Sequence, residues 1–186
     1  MRAECFVECP VAHPTLMART EVLGRGYRDA GWPEDYDLVL RMLGQGHEIG
    51  VVPRRLLAWR DGPRRLWRAS AAYRLDRFTA CKAAFLAAQF LAETDRYILW
   101  GYGPTGRSLR RALLAHGKRP SHVVEVHSGR VGNVIHGAPV ISVDELRAHP
   151  RRPLIASVAG EGPRREIRDM LSAVGLRETQ DFVCAA

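Results

Sequence analysis

Tyr97-Ile98-Leu99-Trp100, followed by Gly101-Tyr102-Gly103-Pro104-Thr105-Gly106, is the stretch that decides the fold. The apolar residues predict a buried strand, and the glycine run fits Gly-x-Gly-x-x-Gly placed between a strand and a helix. In this pattern Gly101 can take a tight turn, Gly103 lets backbone approach a pyrophosphate, and Gly106 lets the helix pack on the strand. The helix N–H groups then point at an anion, so we predict a Rossmann-like βαβ unit here.

Strand and helix patterns alternate through the rest of this C-terminal part. Further strands are predicted at residues 122–126, 139–141, 154–159 and 182–184. Ser142-Val143-Asp144-Glu145 indicates a capping box at a helix start, and another helix is predicted after Gly160-Glu161-Gly162-Pro163. Such alternation implies a parallel sheet covered on both faces, hence an α/β fold. Roughly ninety residues is small for a complete dinucleotide fold, which needs two such halves.

One acidic residue has the spacing of a ribose-binding group. In dinucleotide-binding units an acid about 20 residues beyond the glycines contacts the ribose, and Glu125 follows Gly106 by 19 residues. A strand at 122–126 would place Glu125 inside the strand and leave His127 and Ser128 at its end, which counts against NAD(P) binding. The candidate cofactor-binding residues are Gly101, Gly103, Gly106 and Glu125.

Composition describes an ordinary globular protein. The 186 residues are 46% hydrophobic and 26% charged, and no apolar run approaches the roughly 20 residues of a membrane span. Glu4 and Glu8 interrupt any signal-peptide pattern, so we expect a cytoplasmic protein. The four cysteines are scattered and lack the spacing of a disulfide frame or a metal site, so no metal ligand is assigned.

Positive charge is concentrated in one part of the chain. The net charge is +8, and residues 54–82 hold nine basic side chains against two aspartates. This stretch can attract phosphates, anionic lipid headgroups or nucleic acid, or it can be a solvated helix face. No zinc-finger, RNP or helix-turn-helix signature accompanies it, so we expect no nucleic acid. Peripheral membrane contact through a basic helix at 54–82, at the inner face of the membrane, is one alternative.

The chain divides into two predicted units, residues 1–95 and 96–186. In the first unit the pattern predicts strands at 14–19 and 48–52 and a helix from Pro33 to Gly44. A single long helix at 63–92 is expected to connect the two units.

Three acids lie within Glu34-Asp35-Tyr36-Asp37 at the start of the predicted helix. Acids in a first helical turn complement the helix dipole by a few tenths to about 1 kcal/mol each, so the cluster can be purely structural. Asp37 lies near the opposite side of the helix from Asp35, which favours a structural role for Asp37.

A resemblance to a known family implies the alternative to a structural role, namely that these acids take part in catalysis. The residues that carry it are 12–19 (Ala-His-Pro-Thr-Leu-Met-Ala-Arg), 26–28 (Gly-Tyr-Arg), 34–43 (Glu-Asp-Tyr-Asp-Leu-Val-Leu-Arg-Met-Leu) and Gly46. Together they resemble the C-terminal half of bacterial family 2 glycosyltransferases over roughly residues 6–90. The resemblance implies a partial GT-A-like segment and sugar transfer, usually inverting, from a nucleotide-sugar donor to an acceptor hydroxyl.

The resemblance also implies roles for particular side chains. Asp35 would be the general base, a role that contributes typically 10²- to 10⁴-fold, and Glu34 would position it or contact the acceptor. His13 and Arg19 would line the sugar or diphosphate site. The expected partners are the nucleotide-sugar donor and a saccharide or polyanionic acceptor.

The sequence departs from that family in one respect. Its members bind the donor and a divalent metal through an N-terminal half that ends in Asp-x-Asp, and this chain starts after that point. Asp35-Tyr36-Asp37 sits at a helix start and is not counted as the metal site. We therefore expect a truncated transferase, with Mn²⁺ or Mg²⁺ only in a complete enzyme. An apolar face left exposed would favour self-association.

The second unit resembles the Rossmann-like domain appended to some bacterial family 2 glycosyltransferases. The matching residues are 101–109, 124–126, Gly132, 135–140 and 181–184. The alternative function is therefore a Rossmann-type nucleotide-binding or regulatory module, or a small NAD(P)-dependent oxidoreductase. The sequence lacks a Tyr-x-x-x-Lys pair beside the glycine loop, which disfavours a complete oxidoreductase.

Overall fold

The computed structural model describes residues 1–60, 62, 65–148 and 152–186. The helices are α1 (Glu34–Gly44), α2 (Leu66–Ala69), α3 (Leu75–Phe85), α4 (Pro104–Leu114), α5 (Val143–Leu146) and α6 (Glu161–Ala173). The strands are β1 (Arg96–Trp100), β2 (Arg119–Val124), β3 (Val134–Ile135), β4 (Ala138–Ile141), β5 (Leu154–Ala156) and β6 (Phe182–Cys184). A π-helical turn, Leu86–Phe90, extends α3, and short 3₁₀ turns include His13–Thr15, Thr20–Leu23 and Ala71–Tyr73.

The six strands form one sheet in the order β3-β4-β2-β1-β5-β6. Every neighbouring pair is parallel except β3 with β4, which is antiparallel. The predicted α/β class with a Rossmann-like, mostly parallel sheet is therefore confirmed. The chain passes from β1 to β2 on one side and places β5 on the other side of β1. Ligands of open parallel sheets bind at such a switch point, beyond the carboxyl ends of the strands.

Strand β1 shows why the opening stretch forms a central strand. Tyr97, Ile98, Leu99 and Trp100 are all buried, because β1 lies between β2 and β5 and both faces of the sheet are covered. Continuous apolar burial is the usual pattern of a strand inside a parallel sheet. The strand predicted from these four residues is confirmed.

One hydrophobic cluster includes residues from both sides of the predicted boundary near residue 95. Tyr36 of α1 and Cys81 of α3 belong to the same cluster as Leu99 of β1 and Leu109 of α4. The Tyr36 hydroxyl also donates a hydrogen bond to the carbonyl of Cys5 at 2.6 Å. The first residues and the first two long helices thus pack against one face of the sheet. The division into two units at this point stays a prediction.

Lys82 ties three segments of this packing together. Its ammonium donates hydrogen bonds to the carbonyl of Val7 at 3.1 Å and to the carbonyl of Ala185 at 2.7 Å. Burial lowers the pKa of Lys82 to about 8. The N-terminal segment, α3 and the end of the chain therefore meet at one partly buried cation.

Two predicted strands are wrong. Residues 14–19 contain the end of a 3₁₀ turn, His13–Thr15, because Pro14 fixes its own φ and has no N–H to give to a ladder. Residues 48–52 lack regular structure, and the side chains of Val51 and Val52 are exposed. A period-two pattern forms a strand only beside a partner strand, and the sheet offers none to these residues.

The long helix predicted at 63–92 is also wrong. Pro63 and Arg64 lie outside the described residues, as does Asp61 of the basic stretch. Helix α2 ends at Ala69, and the hydroxyl of Ser70 accepts a hydrogen bond from the N–H of Ala72 at 3.2 Å, which starts a 3₁₀ turn instead. Arg74 is extended with ψ 152°, so α3 begins afresh after it.

The basic stretch 54–82 is therefore no continuous helix. Its described residues comprise coil, the short α2, a 3₁₀ turn and most of α3. Among the described residues, no helix combines the length and the apolar character needed to cross a membrane.

Candidate functional site

The three glycines of the loop after β1 differ in how much room surrounds them. Gly101 has φ +88°, and a Cβ there would lie 2.6 Å from a methyl carbon of Val158. A Cβ on Gly106 would lie 2.3 Å from the carbonyl oxygen of Gly101 and 2.7 Å from Oγ of Ser157. A Cβ on Gly103 would meet nothing within 4 Å. The loop is therefore closed against the sheet at both ends and open to solvent in the middle.

Ser157 holds the turn that follows β1. Its hydroxyl lies 3.1 Å from the carbonyl oxygen of Trp100 and 2.8 Å from that of Gly101, and the side chain is buried. The N–H of Gly101 donates to the carbonyl of Val124 at 3.0 Å. The turn is thus bonded to β2 on one side and to the end of β5 on the other. Ser157 was not predicted from the sequence, where its signal is a small polar residue directly after an apolar strand.

Helix α4 begins at the open part of the loop. Gly103 is its N-cap and Pro104 its first residue, and the first turn carries no acidic side chain. The first N–H groups of a helix have no acceptor inside the helix, and the helix dipole places partial positive charge there. Because the cap has no side chain, this end of an 11-residue helix faces the open space beside Gly103.

Glu125 lies at the end of β2 and not inside it. The strand ends at Val124, two residues before the predicted end at residue 126, because the ladder with β4 stops at the Val124–Ile141 pair. The expected position of this acid inside the strand is therefore wrong, since Glu125 directly follows the last residue of β2. Its role in binding stays a prediction.

The carboxylate of Glu125 joins the glycine loop to the next turn. Its Oε1 accepts a hydrogen bond from the N–H of Tyr102 at 3.0 Å and lies 3.4 Å from a guanidinium nitrogen of Arg130. The residue is only 6% exposed, whereas Arg130 is 55% exposed. The ring of Tyr102 packs against the cluster of Val123, Ala138 and Val140. The position of the glycine loop and the position of the Glu125 carboxylate therefore depend on each other.

A cavity of about 470 Å³ lies beyond the carboxyl ends of β2 and β4. It is lined by Glu125, Val126, Ser128, Val131, Ser142, Val143 and Asp144. Its volume falls in the range of about 300–1,000 Å³ that is usual for small-molecule sites. The Ser142 capping box, which is predicted from the sequence, forms one wall, with the Ser142 N–H donating to the Glu145 carboxylate at 2.7 Å.

Three of the four candidate residues of the N-terminal part have hydrogen-bond partners within that part of the chain. Glu34 accepts a hydrogen bond from the Tyr73 hydroxyl at 2.9 Å, and Asp35 accepts one from the N–H of Tyr36 at 2.8 Å. His13 Nε2 lies 2.7 Å from the Tyr27 hydroxyl, and Arg19 is exposed. Within the described ranges the structure records no contact of His13 or Arg19 with either carboxylate.

Asp37 is the buried acid of the same helix. Its carboxylate accepts hydrogen bonds from Arg28 at 2.7 Å, from the Trp32 indole at 2.9 Å and from Arg41 at 2.7 Å. Burial alone would raise the pKa of Asp37, but these three donors outweigh it and hold the pKa below its usual value. Asp37 thus fixes the segment before α1 to the helix. Among the described residues, no group of three or more His, Cys, Asp or Glu side chains is placed to hold a metal ion.

Comparison with known proteins gives a sparse result. No protein-family model and no curated protein matches the sequence. Thirteen chains in solved structures match. RSP, a Rex-family repressor, matches at 14% identity and TM-score 0.40, over 57% of this chain and 59% of RSP. RSP in complex with β-NADH matches at 14% identity and TM-score 0.40, over 57% of this chain and 60% of RSP. RSP in complex with β-NAD⁺ and operator DNA matches at 13% identity and TM-score 0.40, over 80% of this chain and 67% of RSP. In the first two comparisons the chain thus spans about 60% of RSP.

These comparisons overturn the resemblance to family 2 glycosyltransferases. No family model or curated protein supports it, and the solved structures reported above are repressors. The assignment as a nucleotide-sugar transferase with a GT-A segment is therefore wrong. The acids at the start of α1, to which the resemblance gave the chemistry, accept hydrogen bonds from the N–H of Tyr36 and from the hydroxyl of Tyr73.

The partners expected from the sequence are wrong on the same grounds. They were a nucleotide-sugar donor, a saccharide or polyanionic acceptor, and no nucleic acid. The matching solved structures are described with β-NADH, with β-NAD⁺ and with operator DNA. What stands is a Rossmann-like domain with a glycine loop at the carboxyl edge of its sheet.

Proposed function

We propose that this chain is a nucleotide-binding module that takes a nicotinamide adenine dinucleotide, NAD⁺ or NADH, at the carboxyl edge of its sheet. The observation that carries the proposal is the contrast within the glycine loop. Gly101 and Gly106 have no room for a side chain, whereas Gly103 faces open space at the start of α4. A loop shaped only for packing has no need of this open position.

The diphosphate is the part of the ligand that the loop fits best. Two phosphates need close approach of backbone N–H groups and a positive local field, and the first turn of α4 supplies both without a competing acid. The side chains of Thr105 and Arg107 in that turn are exposed and add a hydroxyl and a cation. We place the nicotinamide end beyond the carboxyl ends of β1 and β5, the paired strands at the switch point of the sheet.

The adenosine end fits the region around Glu125. The carboxylate lines the 470 Å³ cavity, so ribose hydroxyls placed there can donate to it. Val126 and Val143 also line this cavity and supply apolar surface for an adenine ring. The buried negative charge also opposes a 2′-phosphate, although Arg130 offsets part of it. We therefore expect NAD(H) to bind more tightly than NADP(H).

Calorimetric titration of the purified chain with NAD⁺, NADH, NADP⁺ and a nucleotide sugar tests the function. Saturable binding of NAD⁺ or NADH is the expected result, and the absence of saturable binding for both would overturn the function.

Gly103→Val tests the placement of the diphosphate. The new side chain has room in the free protein but occupies the space assigned to the phosphates, so binding should fall at least tenfold with the fold retained. Gly50→Val is the matched control, since a Cβ there also meets nothing within 4 Å and Gly50 lies in the N-terminal part. Equal affinity of both variants would move the ligand away from the loop without removing the binding function.

A further inference from the structure

Residues 51–60 (Val-Val-Pro-Arg-Arg-Leu-Leu-Ala-Trp-Arg) form an exposed strip, called here the 51–60 strip. All ten residues are exposed. The large apolar side chains among them are Val51, Val52, Leu56, Leu57 and Trp59, which are between 49% and 73% exposed. A run of this kind on a folded protein usually marks a surface that contacts something else.

The strip carries three arginines and contains no acidic residue. Arg54, Arg55 and Arg60 have no carboxylate within ion-pair distance among the residues that the structure describes. The guanidinium of Arg65 lies over the ring of Trp59, 4.3 Å from its centroid. The strip therefore offers free cations beside an aromatic ring that already stacks with a planar cation.

The backbone of the strip is also available. It forms neither helix nor strand, and the one hydrogen bond recorded between its own backbone groups joins the N–H of Arg54 to the carbonyl of Val52 at 2.8 Å. The carbonyl of Arg60 accepts from the Arg65 guanidinium. Most donors and acceptors of these ten residues thus face solvent in the described structure.

We propose that the 51–60 strip binds single-stranded nucleic acid. Unstructured arginine-rich chain with an exposed aromatic ring matches the two needs of a single strand, a cationic track for its phosphates and a stacking surface for its bases. The exposed backbone groups can bond base edges and phosphates, and the aliphatic side chains can cover sugar and base faces.

Two other occupants fit the observations less well. Membrane-surface segments are amphipathic helices, and an extended chain would bury unpaired N–H and C=O groups on entering a bilayer. Reading a duplex requires a helix or a two-stranded ribbon in the major groove, and the strip is neither.

Fluorescence anisotropy with labelled 20-nucleotide oligothymidine and oligouridine tests the proposal. With the three arginines of the strip on phosphates, the logarithm of the association constant should fall with the logarithm of salt concentration with a slope of about −2. Trp59→Ala should weaken binding roughly tenfold, while Trp59→Phe should retain most of it.

Charge-reversal variants distinguish binding by the strip from the non-specific attraction of nucleic acid to any basic protein. Arg54→Glu, Arg55→Glu and Arg60→Glu together should abolish binding at 100 mM salt. The control carries Arg111→Glu, Arg165→Glu and Arg177→Glu, three exposed arginines outside the strip with the same change in net charge. Equal losses in both variants would overturn the assignment of the strip.

Vesicles of phosphatidylglycerol test the alternative that the strip binds an anionic membrane surface. Binding to vesicles without binding to either oligonucleotide would overturn the proposal in favour of a membrane, and binding to neither would overturn it outright. Circular dichroism of every variant checks that the fold is retained, which is expected because all substituted side chains are exposed.

Discussion

The glycine loop after β1 and the 51–60 strip are built in opposite ways. In the loop, the backbone of Gly101 is bonded to β2 and to Ser157, and Glu125 holds the next N–H. In the strip, side chains and backbone face solvent. The conformation of the loop is therefore held by neighbours that leave room for a ligand at one point. The strip has exposed side chains that can contact a ligand, but its backbone is not held by neighbouring residues. A bound partner would therefore have to fix its conformation.

The largest effect that can test this contrast comes from filling the closed end of the loop. In Gly106→Ala the new methyl group would lie 2.3 Å from the backbone oxygen of Gly101, so the helix or the turn must shift. We expect a loss of about 3 kcal/mol in the free energy of unfolding, measured by urea denaturation. Gly103→Ala is the control and should change stability by less than about 1 kcal/mol. Similar losses in the two variants would mean that the loop is equally tight along its length.

An effect of intermediate size is expected in the buried core, where the free energy of unfolding should depend on pH. Burial raises the pKa of the Cys5 thiol to about 11, whereas an unfolded thiol ionises near 9. The stability that Cys5 contributes is thus fully present below pH 9 and is lost as the pH rises through about 11. Lys82, with its pKa lowered to about 8, acts in the opposite direction between pH 8 and 10.5.

Cys5→Ala isolates the thiol from the lysine. Between pH 8 and 10.5, the change in unfolding free energy of this variant should be less unfavourable than that of the wild type by on the order of 1 kcal/mol. Urea denaturation at several pH values measures the difference. An identical pH dependence in both proteins would show that the thiol ionises freely in the folded chain.

The smallest effect is expected in the strip. Leu56→Ser removes a large apolar side chain that is 70% exposed, so the free energy of unfolding should change by no more than about 0.5 kcal/mol. A loss above about 1.5 kcal/mol, by the same denaturation assay, would show that Leu56 is packed in solution and that the strip is part of the frame.

The same contrast explains what the sequence could and could not predict. The strand at β1, the glycine loop and α4 were predictable because ten consecutive residues carry the whole pattern. The end of β2 was predicted two residues late, because Val126 looks apolar but lies beyond the last pair with β4 and is exposed. The role of Ser157 depends on β5 lying beside β1, a contact between residues more than fifty positions apart.

The N-terminal part was predictable mainly at α1. There, the proline and acids at the start and the apolar residues at helical spacing agree with one another, and the helix Glu34–Gly44 is confirmed. Strands were predicted at 14–19 and 48–52 from local alternation alone, and the long helix ignored the breaks at Ser70 and Arg74. Sequence pattern describes what a segment can form, while the available neighbours decide whether it does.

The hydrogen bond between Glu125 and the N–H of Tyr102 also bears on how fast a ligand can enter. The two recorded partners of this carboxylate, the Tyr102 N–H and Arg130, both lie on Oε1, so within the described residues Oε2 is open to a ribose hydroxyl. A ligand can then bind without displacing a bond that holds the loop. The rate of complex formation should therefore rise in proportion to ligand concentration, with no upper limit set by a rearrangement of the loop.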